Sequence, residues 1–218
     1  MDYQIIFSMQ IALISEGITD KPIIEATIIA YFSKKFIGTD VFLNPIHPKE
    51  KEPSGWVKVL KYCESENFKN AFDFNEFIII QIDSDAHEEY GVANYKNTEE
   101  LLAAIKNRII SSITEPYYET VKDKIIFAIC VNMVECWLLP FFATTISHKR
   151  KTTNCCDTLN QYLRKQGFTL DCINDAGGTE YYQKVAQTIS KKKIFFPAYK
   201  ENESLKYFVE IELDKIHL

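Results

Sequence analysis

Residues 76–85, Glu76-Phe77-Ile78-Ile79-Ile80-Gln81-Ile82-Asp83-Ser84-Asp85, decide the fold. A β-branched run that is apolar on both alternating faces suits a strand covered by helices on both sides, which is the situation inside a parallel sheet. The run stops at two acids, as a strand does on leaving the sheet. Working outward, Ile11-Ala12-Leu13-Ile14-Ser15 is a second short apolar run, closed by Glu16-Gly17. After Thr19-Asp20-Lys21-Pro22 comes an apolar stripe at Ile24, Ile28, Phe32 and Phe36, the four-residue spacing of one helix face. Val41 to Pro45 and Lys124 to Val131 read as two more strands, and Trp56 to Phe68 and Thr98 to Ile113 as helices, the latter capped by Thr98 with Glu99 or Glu100 nearby. This alternation predicts an α/β fold with a mostly parallel four-stranded sheet flanked by helices. Beyond Pro140 helices are expected near Asp157 to Gln166, Glu180 to Ser190 and Ser204 to Leu213, separated by Gly177-Gly178 and Pro197. Residues 1–145 therefore read as one domain, with 146–218 as a basic, mainly helical extension packed on it.

Composition narrows the class. With 218 residues, 46% hydrophobic and 25% charged, the chain holds an ordinary core and is neither fibrous nor broadly disordered. Its longest clean apolar run, Ile125 to Val131, falls far short of the roughly 20 residues of a membrane span. The start at Met1-Asp2 is acidic, unlike a signal peptide. A soluble, cytoplasmic protein without membrane association is expected. The six cysteines include no CxxC pair, and Cys155 and Cys156 are adjacent, so they read as reduced, mostly buried thiols. Charge is unevenly spread: residues 148–200 hold ten Lys or Arg against four Asp or Glu, a net +6 that leaves −11 on the rest. The basic segment suits a polyanion, or simply a solvated face.

The acidic part carries the chemistry. Loops leaving the carboxyl ends of parallel strands converge on one crevice, which would receive Glu16 from the first strand and Asp83 and Asp85 from the third. Aspartates at i and i+2 past a strand end can aim at the same side, and carboxylate oxygens are the ligands that Mg²⁺ and Mn²⁺ prefer. Without a cation such a cluster repels itself. Asp20 reads equally as a ligand or as the N-cap of the first helix, and Asp85 as a ligand or a turn cap. Glu135, inside the apolar segment Met133 to Leu139, needs a partner, whether in the site or in an ion pair. No metal-ligand spacing links the four histidines.

Taken together, Glu16-Gly17, Thr19-Asp20 and Asp83-Ser84-Asp85 resemble the TOPRIM domain of topoisomerases, primases and nucleases, over roughly Ile11 to Leu139. Asp20, four positions after Glu16, is similar to the nuclease branch typified by the overcoming-lysogenization-defect (OLD) enzymes. Val134-Glu135-Cys136-Trp137-Leu138, together with Tyr181-Tyr182-Gln183-Lys184 and Ser204-Leu205-Lys206-Tyr207-Phe208, looks like small stand-alone TOPRIM-like proteins. What this resemblance implies is a divalent-metal-dependent nuclease acting on DNA or RNA through one or two Mg²⁺ or Mn²⁺ ions. Glu16, Asp20, Asp83, Asp85 and Glu135 would be the ligands, and Glu16 and Lys184 the catalytic residues, with Lys192 or Lys193 competing for the lysine's role. Nucleic acid would lie along residues 148–200, and an anti-phage defence role is a family-level expectation. The chain carries no ATPase domain of the OLD type. A second reading is therefore a non-catalytic or conditionally active partner of a separately encoded ATPase. A third, a DxD-dependent nucleotide-sugar transferase, leaves Glu16 without a role.

Overall fold

A computed structural model describes residues 7–35, 39–49, 52, 54–93, 95–172 and 179–217. Four strands, β1 (Phe7–Ile14), β2 (Thr39–His47), β3 (Phe77–Asp83) and β4 (Ile125–Cys130), form one all-parallel sheet in the order β2-β1-β3-β4. Helices α1 (Asp20–Lys35), α2 (Trp56–Cys63), α3 (Glu66–Asn70), α4 (Thr98–Ile110) and α5 (Glu115–Val121) connect the strands. After β4 come α6 (Glu135–Phe142), α7 (Ile146–Lys149), α8 (Cys155–Leu163), α9 (Thr179–Ile189), α10 (Lys192–Ala198) and α11 (Glu203–Tyr207), the last running on as a π-helical turn, Phe208–Glu212.

The alternation of strand side chains divides the interior into two layers. Ile11, Leu13, Ile79 and Ile126 pack with α1, α6 and the C-terminal helices, whereas Ala12, Ile14, Ile78, Ile80 and Phe127 pack with α2 and α4. Each fully buried Ile or Leu contributes about 1.5–3 kcal/mol. The C-terminal helices add to the first layer: Leu159, Tyr182, Phe195 and Phe208 share one core with Ile24 of α1 and Trp137 of α6. Ser204 Oγ accepts from Trp137 Nε1 at 2.8 Å and from the Val131 N–H at 3.2 Å, seating α11 beside β4.

Several local expectations change. The helix expected from Trp56 to Phe68 breaks into α2 and α3 where Ser65 caps a new N-terminus, its Oγ accepting from Phe68 N. Asn97, not Thr98, caps α4, accepting from the Glu100 N–H at 2.9 Å. Pro197 lies inside α10 rather than between helices. Phe36 and Gly177-Gly178 fall outside the described residues. The cysteines require a larger correction. Cys136 pairs with Cys155 and Cys156 with Cys172, leaving Cys63 and Cys130 as buried free thiols, so four of the six are not reduced. Adjacent cysteines on a helix point about 100° apart, so Cys155 and Cys156 reach different partners. None of the described helices is long and apolar enough to cross a membrane.

Candidate metal centre

The sheet order places β1 between β2 and β3. The connection from β1 leaves toward β2 and that from β3 toward β4, so the crevice between β1 and β3 is the topological switch point, where α/β sheets bind ligands. Glu16 follows β1 and Asp83 ends β3, one on each side of it. Gln81, fully buried, ties the two strands: its Oε1 accepts from the Glu16 N–H and its Nε2 donates to Asp83 Oδ1, both at 2.9 Å. Glu16 Oε2 in turn accepts from the Asp83 N–H at 3.0 Å. The second oxygen of Asp83 accepts from the Val134 N–H at 3.1 Å, which the chain reaches through Asn132, in left-handed backbone at φ 68°.

Two helix starts complete the cluster. Asp20 is buried in the first turn of α1, its Oδ2 accepting from the Gly17 N–H at 2.7 Å, a contact back onto the turn rather than forward into the helix. Glu135 opens α6, is buried, and accepts a short hydrogen bond from the Tyr182 hydroxyl of α9. Both acids sit at the positive end of a helix dipole. On the opposite side Gly55, at φ 102°, donates its N–H to Glu16 O at 3.0 Å. Trp56 Nε1 donates to Asp83 O at 2.6 Å and its ring stacks on Tyr90 at 4.6 Å.

Electrostatics binds these groups into one unit. Asp83 keeps part of its surface accessible, yet burial of its carboxyl, followed by the charges of Asp20, Glu16 and Glu135, pushes its pKa well above the ordinary carboxylate value. The Val134 N–H acts in the other direction. Burial and then the Glu135 charge raise Tyr182, with Asp20 and Asp83 adding to the shift, so its hydroxyl keeps its proton. Cys130 behind the cluster is raised by burial, then by Asp83 and Asp20.

Thus Glu16, Asp20, Asp83 and Glu135 come together, whereas two other residues expected in the site stand apart. Asp85 is exposed, and after burial the main influences on its carboxyl are the N–H groups of Ala86 and Asp85 and the charges of Glu89 and His87. The chain leaves strand geometry at Ser84, whose carbonyl accepts from the His87 N–H, so the i, i+2 alternation does not extend to Asp85. It meets the cluster only at its margin, where the charges of Glu16 and Asp85 both raise Tyr90 behind the larger effects of burial and Glu89. On α9 it is Tyr182 that faces the acids. Lys184, about 200° further round the helix, is exposed, with its ammonium 4.5 Å from the Phe168 ring centroid. Lys192 and Lys193 are exposed in the first turn of α10.

Oxygen-only donors suit a hard divalent cation. Among the described residues, however, no three His, Cys, Asp or Glu side chains are grouped closely enough to hold an ion as they stand. Protein donors occupy oxygens of Glu16, Asp83 and Glu135, so a cation would enter by displacing some of these hydrogen bonds.

The fold and this cluster define an all-parallel α/β protein with a four-carboxylate crevice at the carboxyl edge of its sheet. Comparison of the chain with protein-family models, curated proteins and solved structures finds no match.

Proposed function

We propose that the chain is a divalent-metal-dependent nuclease that hydrolyses phosphodiester bonds of DNA or RNA at the β1–β3 crevice, as the resemblance to TOPRIM nucleases implies. One observation carries the reading: at a switch point four carboxylates crowd together, and burial first, then the charges of the other three, raise the pKa of Asp83, an arrangement that a cation relieves. Glu16, Asp20, Asp83 and Glu135 would hold one or two Mg²⁺ or Mn²⁺ ions, with Asp85 at the margin. Such an ion lowers the pKa of its bound water and offsets charge on the phosphate. Gln81 keeps Glu16 and Asp83 in register, and Tyr182 holds Glu135. Exposed lysines and arginines of residues 148–200, Lys184 among them, hold the nucleic-acid backbone without reading bases; a catalytic role for Lys184 rests on the resemblance alone, since Tyr182 and not Lys184 is the α9 residue that faces the acids. A role in anti-phage defence and a cytoplasmic location follow from the family resemblance and the sequence reading alone.

The engagement of the carboxylate oxygens by protein donors favours a second reading, in which cleavage requires a separately encoded ATPase that rearranges the crevice. A plasmid or oligonucleotide cleavage assay with Mn²⁺ or Mg²⁺ tests the first, comparing wild type with Glu16→Ala and Asp83→Ala. Activity that survives both substitutions removes these residues from the chemistry. Metal-induced thermal stabilisation without cleavage points to the second reading. Lys184→Ala should lose turnover while keeping the metal-induced stabilisation.

A further inference from the structure

A cleft of about 840 Å³ lies between β2 and the α2–α3 segment, outside the carboxylate cluster. That volume falls in the range of small-molecule sites. Among the described residues Lys49, Lys58 and Lys61 line it, opposed by one lining acid, Glu52, which stands 3.7 Å from His47 Nδ1. Lys58 and Lys61 are three residues apart on α2, hence on one face, and neither makes an ion pair with another described residue. In a chain of net charge −5 this is a locally electropositive concavity.

Aromatic and hydrogen-bonding groups complete the lining. Tyr62 stacks on His47 at 5.0 Å, and Phe74 at the rim is 78% exposed, more than any other large hydrophobic side chain described. His47 and Asn75 line the same cleft and are more than nine-tenths buried, yet His47 Nε2 and Asn75 Oδ1 have no hydrogen-bond partner in the protein. The amide nitrogen of Asn75 is already committed to Ala71 O at 2.7 Å, so Oδ1 is an acceptor left over. Burial lowers the His47 pKa, Glu52 opposing it and Lys58 acting in the same sense, which favours the neutral ring. Both atoms are sealed behind the cleft wall, and buried polar atoms left unpaired are destabilising, so a small side-chain rotation that turns either toward a ligand group in the cleft is favoured.

We propose that this cleft binds a nucleoside phosphate, either a free nucleotide or a unit of a single strand. The lysines hold the phosphate, Tyr62 and Phe74 take the base on their rings, and Asn75 and His47, on turning toward the cleft, meet polar groups of base or sugar. Inorganic phosphate would leave the aromatics unused, and an uncharged nucleoside the lysines. His47 O accepts from the Ser15 N–H at 2.9 Å, so one end of the cleft lies beside the turn that carries Glu16. The proposal stands whether or not the carboxylates cleave.

The test is binding to the full chain in EDTA, by thermal shift with AMP and by fluorescence anisotropy with a labelled oligothymidylate, with inorganic phosphate and adenosine as controls. AMP and the oligonucleotide should bind, phosphate and adenosine much more weakly. Lys58→Glu/Lys61→Glu should weaken binding at least tenfold, and Phe74→Ala roughly fivefold or more. Oligonucleotide affinity well above that of AMP assigns the cleft to a strand, and equal affinity to a free nucleotide. Binding that persists in Glu16→Ala separates this site from the carboxylate cluster. Absence of binding up to about 1 mM, or unchanged binding in both sets of cleft variants, overturns the proposal. Should the double lysine variant fail to fold, Phe74→Ala, at an exposed position, decides.

Discussion

The hydroxyl of Tyr182 donates a hydrogen bond to Oε1 of Glu135, joining α9 to the first residue of α6 across a sequence separation of 47. Both residues are buried, and the phenol stays protonated because burial and the Glu135 charge raise its pKa. Tyr182→Phe removes a donor from a buried carboxylate and should cost about 1.5–3 kcal/mol in the metal-free protein. The same change releases Glu135 Oε1, so Mn²⁺ should recover more stability in the variant than in wild type. Parallel urea titrations with and without Mn²⁺ measure both effects, and an unaltered metal response would detach Glu135 from the metal.

Asp83 makes the stability of the fold depend on pH. Burial first, then Asp20, Glu16 and Glu135, raise its folded-state pKa above the value of about 3.9 that it has when unfolded. Between those two values the folded chain keeps a proton that the unfolded chain has released. Stability from this group is therefore lost as pH rises through the folded value and regained as pH falls toward the unfolded one. In EDTA, thermal midpoints should rise as pH is lowered from neutrality toward the unfolded value. Glu16→Gln, which removes one of the raising charges, should flatten that rise; identical profiles for the two proteins would refute the assignment.

Glu212 closes the outer edge of β4. Fully buried in the π-helical turn, it accepts from the Phe127 N–H at 3.1 Å, from Lys106 Nζ at 3.2 Å and, by a shorter contact, from Lys215 Nζ. Glu212→Ala leaves two half-buried ammonium groups and a strand amide without their acceptor, a loss of about 3–5 kcal/mol. Chemical denaturation gives the value directly, and a change below about 1 kcal/mol would show the pair to be a surface interaction.

Thiol chemistry checks the cysteine pairing. Alkylation of the denatured, unreduced protein should label two cysteines, Cys63 and Cys130, and all six after reduction. The Cys136–Cys155 pair ties α6, immediately after Glu135, to α8. Reduction should therefore lower the thermal midpoint and weaken metal-induced stabilisation together, the first by the equivalent of about 2–4 kcal/mol. Six reactive thiols before reduction would return the cysteines to the reduced state that their spacing suggests.

How much of this was legible in the sequence depends on the range of the forces involved. The strands were plain, because a segment such as Ile78 to Ile82 has to be apolar on both faces to lie between two helical layers. Glu16 and Asp83 followed from strand ends alone. Gln81 was missed although it left a signal, a lone amide inside an otherwise apolar strand, which burial permits only if both of its ends are bonded. Tyr182 was hidden by its company, since it shares a helical stripe with Val185, Ala186 and Ile189 and reads as core. Asp85 lies outside the strand alternation because the chain turns at Ser84, a tertiary detail that the i, i+2 spacing does not encode. The disulfides were invisible for a different reason: Cys155 and Cys156 choose partners by tertiary distance, which spacing along the chain does not encode.

Glu212 also sets the order in which the molecule can be completed during synthesis. All four strands have left the ribosome once residue 130 has emerged, but the Phe127 N–H on the edge of β4 waits 82 residues more for its acceptor, until Glu212 follows. An open strand edge invites pairing with another chain. Nascent protein therefore passes through a stage with a finished sheet and an exposed flank, and its vulnerability to association is greatest then rather than in the mature fold.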